Sequence, residues 1–265
     1  VLALLVGGKP VERVEEGQDV AVVVNQSPFY GESGGQMGDS GIFFTPHGAE
    51  IAIGDTMKKL GDLVVHVGKV QRGHLAVGDV VEMRIDLQRR AALRANHSAT
   101  HLLHEALRRQ LGTHISQKGS LVAPERLRFD ISHPKALSPE ELRRVEEEVN
   151  AKVRHNSEVV TRLMNQQEAI DAGAMALFGE KYGEEVRVLS MGDDHAGKYS
   201  VELCGGTHVR RTGDIGLFKI VGEGAVAAGV RRIEAVTGAA ADDYMRQRDA
   251  ALQNIAGLLK ARPEE

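Results

Sequence analysis

The chain has 265 residues, 42% hydrophobic, 4% aromatic and 26% charged, with a formal net charge of -4. These figures fit a soluble globular protein with room for one large core or two smaller ones, and they exclude a collagenous, mucin-like or wholly disordered chain. The apolar stretches at Val1 to Val6 and Ala225 to Ala228 fall far short of the roughly 20 residues of a membrane span, no secretory signal opens the chain, and a lone cysteine, Cys204, excludes a disulfide framework and fits a reducing, cytoplasmic compartment.

The chain opens without Met on Val-Leu-Ala-Leu-Leu-Val, which predicts a piece of something longer. Short Val-rich runs at Ala21 to Val24, Leu63 to Val67 and Val80 to Ile85 are separated by turn pairs at Gly17, Gly61 and Gly78, a pattern that predicts a small barrel or sandwich over residues 1–86. From Leu87 the period becomes helical. Ala91, Leu93, Leu102, Leu103, Ala106, Leu107 and Leu111 share a helix that Gly112 ends. Ser138, Pro139 and Glu141 mark the start of a second helix, striped by Leu142, Val145, Val149 and Val153. Strands are expected again at Val186 to Ser190, Ser200 to Leu203, Leu217 to Val221 and Arg231 to Val236. A last helix follows over 239–260 and leaves through Pro263 and two glutamates. The expected organisation is a β-rich, barrel-like part over 1–86, an α/β core over 87–238, and a terminal helical stretch over 239–265. The fold class is α/β (α+β).

Charge is uneven. Between Arg84 and Arg128 nine basic residues face three acidic ones, an excess of six within an acidic chain. Such a stretch is either a solvated helix face or a phosphate-binding face.

His97 and His101 stand at i and i+4 on the first long helix, so both imidazoles leave one face. Cys204-Gly-Gly-Thr-His208 repeats that gap with a thiol in place of one imidazole. The four together suit tetrahedral zinc, with Gly205 and Gly206 letting the backbone curl. The competing reading is two ordinary helix histidines and a small buried cysteine. His104, one turn from His101, is an alternative ligand. A zincin is excluded because position 108 is Arg, and a nucleobase deaminase because the chain has one cysteine and no His-x-Glu.

His97-Ser-Ala-Thr100-His101-Leu-Leu-His104, Gln117-Lys118-Gly-Ser120-Leu-Val and Cys204-Gly-Gly-Thr-His208-Val closely resemble the editing domain of alanyl-tRNA synthetases. The segment Ser27-Pro-Phe-Tyr30-Gly-Glu-Ser-Gly34-Gly35-Gln36-Met-Gly38-Asp39-Ser-Gly41 matches the glycine-rich stretch preceding it in that family. Residues 173–183 and 229–238 also read like family segments. The two half-motifs of the metal set are shared with threonyl-tRNA synthetase editing domains and free-standing editing proteins.

The resemblance implies proofreading. A pocket for alanine's methyl cannot exclude glycine and rejects serine weakly, since such differences are worth roughly 1–3 kcal/mol, so a second site must hydrolyse serine or glycine esterified to tRNA(Ala). It implies Zn2+ on His97, His101, Cys204 and His208, a catalytic Gln117, and substrate contacts from Gly34, Gly35, Gln36, Asp39, Thr100 and Arg232. Arg232 equally suits an ion pair, and Gly34-Gly35 a plain hairpin turn. Arg89, Arg90, Arg94, Arg108, Arg109 and Lys118 are the expected phosphate contacts for tRNA(Ala), with no membrane and no protein partner. ATP and Mg2+ serve only an aminoacylation domain, to which nothing in this chain is similar. The alternatives are a free-standing editing protein and a non-catalytic zinc module that grips tRNA.

Overall fold

Val-rich runs punctuated by glycine turns give strands and no helix through the first 85 residues. In the computed structural model, which describes residues 1–171, 173, 185–194 and 197–263, these are β1 (Ala3–Val6), β2 (Lys9–Val11), β3 (Arg13–Glu15), β4 (Asp19–Val23), β5 (Gly41–Phe44), β6 (Glu50–Lys59), β7 (Leu63–Arg72), β8 (His74–Ala76) and β9 (Glu82–Ile85). Then come α1 (Leu87–Leu111), β10 (Gln117–Val122), β11 (Leu127–Ser132), α2 (Pro139–His155), β12 (Val160–Asn165), α3 (Gln166–Asp171), β13 (Glu185–Asp194), β14 (Gly197–Leu203), β15 (Phe218–Ala227), β16 (Val230–Thr237) and α4 (Gly238–Leu259). Two units result: Val1–Leu93 with Leu121–Pro124, and Arg94–Ser120 with Glu125–Glu265. The family-like segment over 174–183 and the two final glutamates lie outside the described residues.

The first unit carries an antiparallel sheet in the order β2-β1-β4-β7-β6-β5-β9, and β3 pairs with β8. The expected barrel is not closed. Among the described residues β2 and β9 are both edges, and β2 is a three-residue strand holding Pro10, which has no N–H to extend a ladder. Alternate residues of β4 and β6 feed the core, where Val20, Val22, Ile51 and Ile53 meet Leu4, Phe43 and Leu75. A bulge between Ile53 and Asp55 shifts the period by one, so the next buried residue of β6 is Thr56. Gly17, Gly61 and Gly78 all take positive φ, as their turns require.

The second unit has a sheet ordered β10-β11-β16-β15 and a second ordered β12-β13-β14. One core joins Leu102, Leu103, Ala106 and Leu107 of α1, Phe129 and Ile131 of β11, and Val145, Val149 and Val153 of α2. Phe218, Ile233 and Ala235 complete it. The start of α2 is the expected capping box: Ser138 Oγ accepts the Glu141 N–H while Glu141 accepts the Ser138 N–H, with Pro139 in the first turn. Among the described residues no helix is long and apolar enough to cross a membrane.

Candidate metal centre

Every residue of α1 from Ala95 to His104 is buried, although six of the ten are polar: Asn96, His97, Ser98, Thr100, His101 and His104. Buried polar groups are costly unless they are partnered, so this stretch needs a counterpart. For His97, His101 and Ser98 that counterpart is the loop 204–208 after β14. It brings Cys204 Sγ to 3.5 Å from His97 Nε2 and 3.2 Å from His208 Nε2. One ligand atom each from His97, His101, Cys204 and His208 lies within 4.8 Å of every other. Bonds of about 2.0–2.3 Å to a tetrahedral ion separate neighbouring ligand atoms by roughly 3.3–3.6 Å, so the observed spacings suit an ion at their centre. The Nε2 atom of His101 is buried without a hydrogen-bond partner, as a nitrogen reserved for a metal would be.

The loop is fixed by its backbone. Gly206 N–H points at Cys204 Sγ across 3.4 Å, and the Arg187 guanidinium donates to Cys204 O at 2.8 Å and Gly206 O at 2.6 Å. Neither Gly205 nor Gly206 needs positive φ, so the curl rests on these bonds rather than on left-handed glycine. Ser98 Oγ accepts the Val209 N–H and lies 3.2 Å from His208 Nδ1, which ties the loop to α1. Glu202 accepts from His101 Nδ1 at 2.8 Å, His104 Nδ1 at 3.2 Å and Ser200 Oγ at 3.2 Å. Glu202, Ser98 and Arg187 were not anticipated; the one sequence signal was a Glu two residues before Cys204. His104 is held by Glu202 and Phe129 rather than standing in the four-residue cluster.

The electrostatics are strongly coupled. Burial pushes the Cys204 thiol up, but the charges of His97 and His101 and the hydrogen bond from His208 outweigh it and hold the thiol well below its ordinary range. Burial pushes His101 down, yet the Glu202 carboxylate and then Cys204 raise it to about 10. Burial and the nearby His97 charge lower His208 to about 3. Glu202 stays ionised: burial opposes the charge, while His101 and His104 more than offset it. A thiolate beside imidazoles is a donor set for zinc.

The other expected site residues fall in several places. Gln117 opens β10, half-buried. Thr100 is buried and donates its hydroxyl to Asn96 O at 2.9 Å. Gly34 and Gly35 form a two-residue turn: Ser33 and Gln36 exchange backbone hydrogen bonds and both glycines have positive φ, which is the backbone reason for glycine there. Gln36 is fully buried. Asp39 and Arg90 occupy each other in a buried ion pair, Asp39 also accepting Tyr30 N–H at 2.6 Å and Arg90 donating to Pro28 O at 3.1 Å. Arg232 forms a two-point pair with Asp130 at 2.7 and 2.8 Å.

The basic excess is largely consumed within the fold. Arg89 reaches Gly38 O at 3.4 Å, Arg108 donates to the carbonyls of Thr113 and Ile115, and Arg109 pairs with Glu105 at 2.7 Å and lies over the Tyr199 ring. Lys118 is exposed and Arg94 half-buried.

Residues 186–234 match the family described as the threonyl and alanyl tRNA synthetase second additional domain, a span that contains Glu202, Cys204 and His208. Residues 1–89 match the family described as class II (A) tRNA synthetases. The chain is 62% identical over 268 residues to the alanine–tRNA ligase of Parvibaculum lavamentivorans, 59% over 266 to that of Granulibacter bethesdensis and 60% over 270 to that of Mesorhizobium japonicum. These alignments take in 99–100% of the chain but 30% of each relative's length. With near-complete coverage of the chain at this identity, the chain is similar throughout to alanine–tRNA ligases, of whose length it spans about a third.

Proposed function

We propose that this chain carries the proofreading site of an alanine–tRNA ligase, hydrolysing serine or glycine esterified to tRNA(Ala), while the full-length ligase joins alanine to that tRNA with ATP. The observation that carries the reading is the convergence of His97 and His101 with Cys204 and His208, more than 100 residues apart in sequence, in one buried cluster. His97, His101, Cys204 and His208 would hold zinc. Zinc bound there supplies a Lewis-acid centre for an ester carbonyl, water or the aminoacyl group's own amine or hydroxyl.

The chain's residues do the rest. Hydrolysis of an aminoacyl ester needs an oriented water and a stabilised oxyanion. The Gln117 amide, half-buried on β10, orients the water or holds the serine hydroxyl. Thr100 keeps hydroxyl lone pairs free of its bond to Asn96 O and lies beside the ligand His101 in sequence. Asp39, Arg90 and Arg232 are assigned to holding the fold, because their charges are already matched by one another or by Asp130. Phosphate contact falls to exposed Lys118 and half-buried Arg94, and weakens as salt rises. The non-catalytic tRNA module loses its main support, since most of the arginines that were to form its phosphate face are engaged within the fold.

The test is deacylation of serine-charged tRNA(Ala) by the purified chain with and without prior metal stripping. Zinc-dependent release of serine supports the reading. Tight tRNA binding without release makes the chain a binding module instead.

A further inference from the structure

Six polar groups of α1 are buried together, and two of the three imidazoles in the four-residue cluster are engaged through atoms away from its centre. His208 Nδ1 faces a neutral hydroxyl, Ser98 Oγ, at 3.2 Å. His101 Nδ1 faces a carboxylate at 2.8 Å, and that carboxylate belongs to Glu202, 1% exposed, on the strand that delivers Cys204. Resting on the metal reading above, we infer that Glu202 is a positioning residue for the metal: it fixes His101 as the Nδ1–H tautomer and so aims the Nε2 lone pair at the centre.

The geometry leaves Glu202 little choice. A carboxylate is acceptor-only, so both ring N–H groups that meet it, His101 Nδ1–H on Oε2 and His104 Nδ1–H on Oε1, must be protonated at Nδ1. With Nδ1–H committed to Glu202, the nitrogen that His101 can yield to a metal is Nε2, which is buried and without a hydrogen-bond partner. His104 takes the same tautomer but stacks edge-on against Phe129, ring centroids 5.3 Å apart, and stays outside the four-atom cluster. Glu202 thus holds both histidines in one tautomer, and position alone makes His101 the member of the cluster and His104 a brace. His104 and Ser200 hold the far carboxylate oxygen, so that Oε2 is presented to His101 in one orientation. The sheet contributes as well: Glu202 pairs in register with Leu189 of β13, whose side chain is in the core, so the carboxylate cannot swing away without disturbing packed strand.

An amide at position 202 has the same shape but offers one acceptor and one donor group. It can satisfy one ring N–H and must oppose the other, which turns either His101 or His104 over. The test is Glu202→Gln compared with the unaltered chain in zinc affinity, measured by chelator competition at fixed pH on protein whose circular dichroism shows it folded. The inference expects affinity about 10- to 100-fold weaker. Unchanged affinity in folded Glu202→Gln overturns it. Should that variant fail to fold, long-range 1H–15N correlation on the zinc-loaded unaltered chain decides: His101 carrying its proton on Nδ1 with Nε2 metal-bound is expected, and a proton on Nε2 overturns the inference. If the unaltered chain binds no zinc at all, the metal reading falls and this inference with it. Zinc binding with an unaffected Glu202→Gln removes this inference alone.

Discussion

Asp39 and Arg90 form a buried pair whose disruption should be felt far more than a surface ion pair. Their side chains are 1% and 10% exposed, and the carboxylate receives the guanidinium at two positions together with the Tyr30 N–H. Replacing Asp39 by Ala leaves a buried guanidinium with Pro28 O as its remaining partner. Replacing Arg90 by Ala leaves a buried carboxylate with Tyr30 N–H. Removing one member of such a pair costs about 3–5 kcal/mol, against about 0–1 kcal/mol for an exposed pair. The double replacement strands neither charge, so it should cost little more than either single one, giving a coupling of roughly 3 kcal/mol. Hydrogen exchange of the β6 and β7 amides, which report opening of the first unit, measures all three variants on one scale. Single costs below about 1 kcal/mol, or costs that simply add, would refute the buried-pair argument and return Asp39 and Arg90 to the pool of free ligand-binding groups.

The remaining predictions concern pH, packing and catalysis. His101 is raised to about 10 in the metal-free chain, so zinc must displace its proton well above neutrality. Affinity should rise about tenfold per pH unit from 7 to 9, and chelator competition showing a flat profile there would count against it. The linkage sign is the usual one for a raised histidine: its contribution to metal-free stability is complete below about 6.5 and fades as pH climbs through about 10, which pH-dependent melting of stripped protein checks. A Cβ at Gly38 would run into the Thr56 carbonyl on β6, so Gly38→Ala should destabilise the first unit by about 1–3 kcal/mol in the same exchange experiment. Gln117→Ala should slow release of serine while leaving one zinc bound; undiminished release would reduce Gln117 to a scaffold residue.

What the sequence revealed and what it hid follow from the range of each interaction. The capping box at Ser138 and the glycine turns at 17, 61 and 78 are local, set by residues a few positions apart, and they are present as read. The i, i+4 spacing of His97 and His101 and the repeated gap at Cys204 and His208 are also local, which is why the four-residue cluster is legible in the sequence. The Leu127, Phe129 and Ile131 alternation of β11 is equally local. Pair partners were not legible, because they are set by long-range registry. Nothing near Arg90 in sequence says that Asp39 will neutralise it, and nothing near Arg232 points to Asp130, which stands directly opposite it on β11. The same range hides the partners of Arg89 and Arg90, which lie 51 residues away at Gly38 and Asp39. Sheet closure failed for a related reason, since alternation specifies a strand's faces but not whether the first and last strands meet.

The most direct test of the account joins metal to chemistry in one preparation: zinc content and release of serine from serine-charged tRNA(Ala), measured together for the unaltered chain and for Cys204→Ala. One zinc per chain and measurable hydrolysis are expected in the first, and loss of both in the second. Hydrolysis that persists undiminished in metal-free Cys204→Ala would contradict the account.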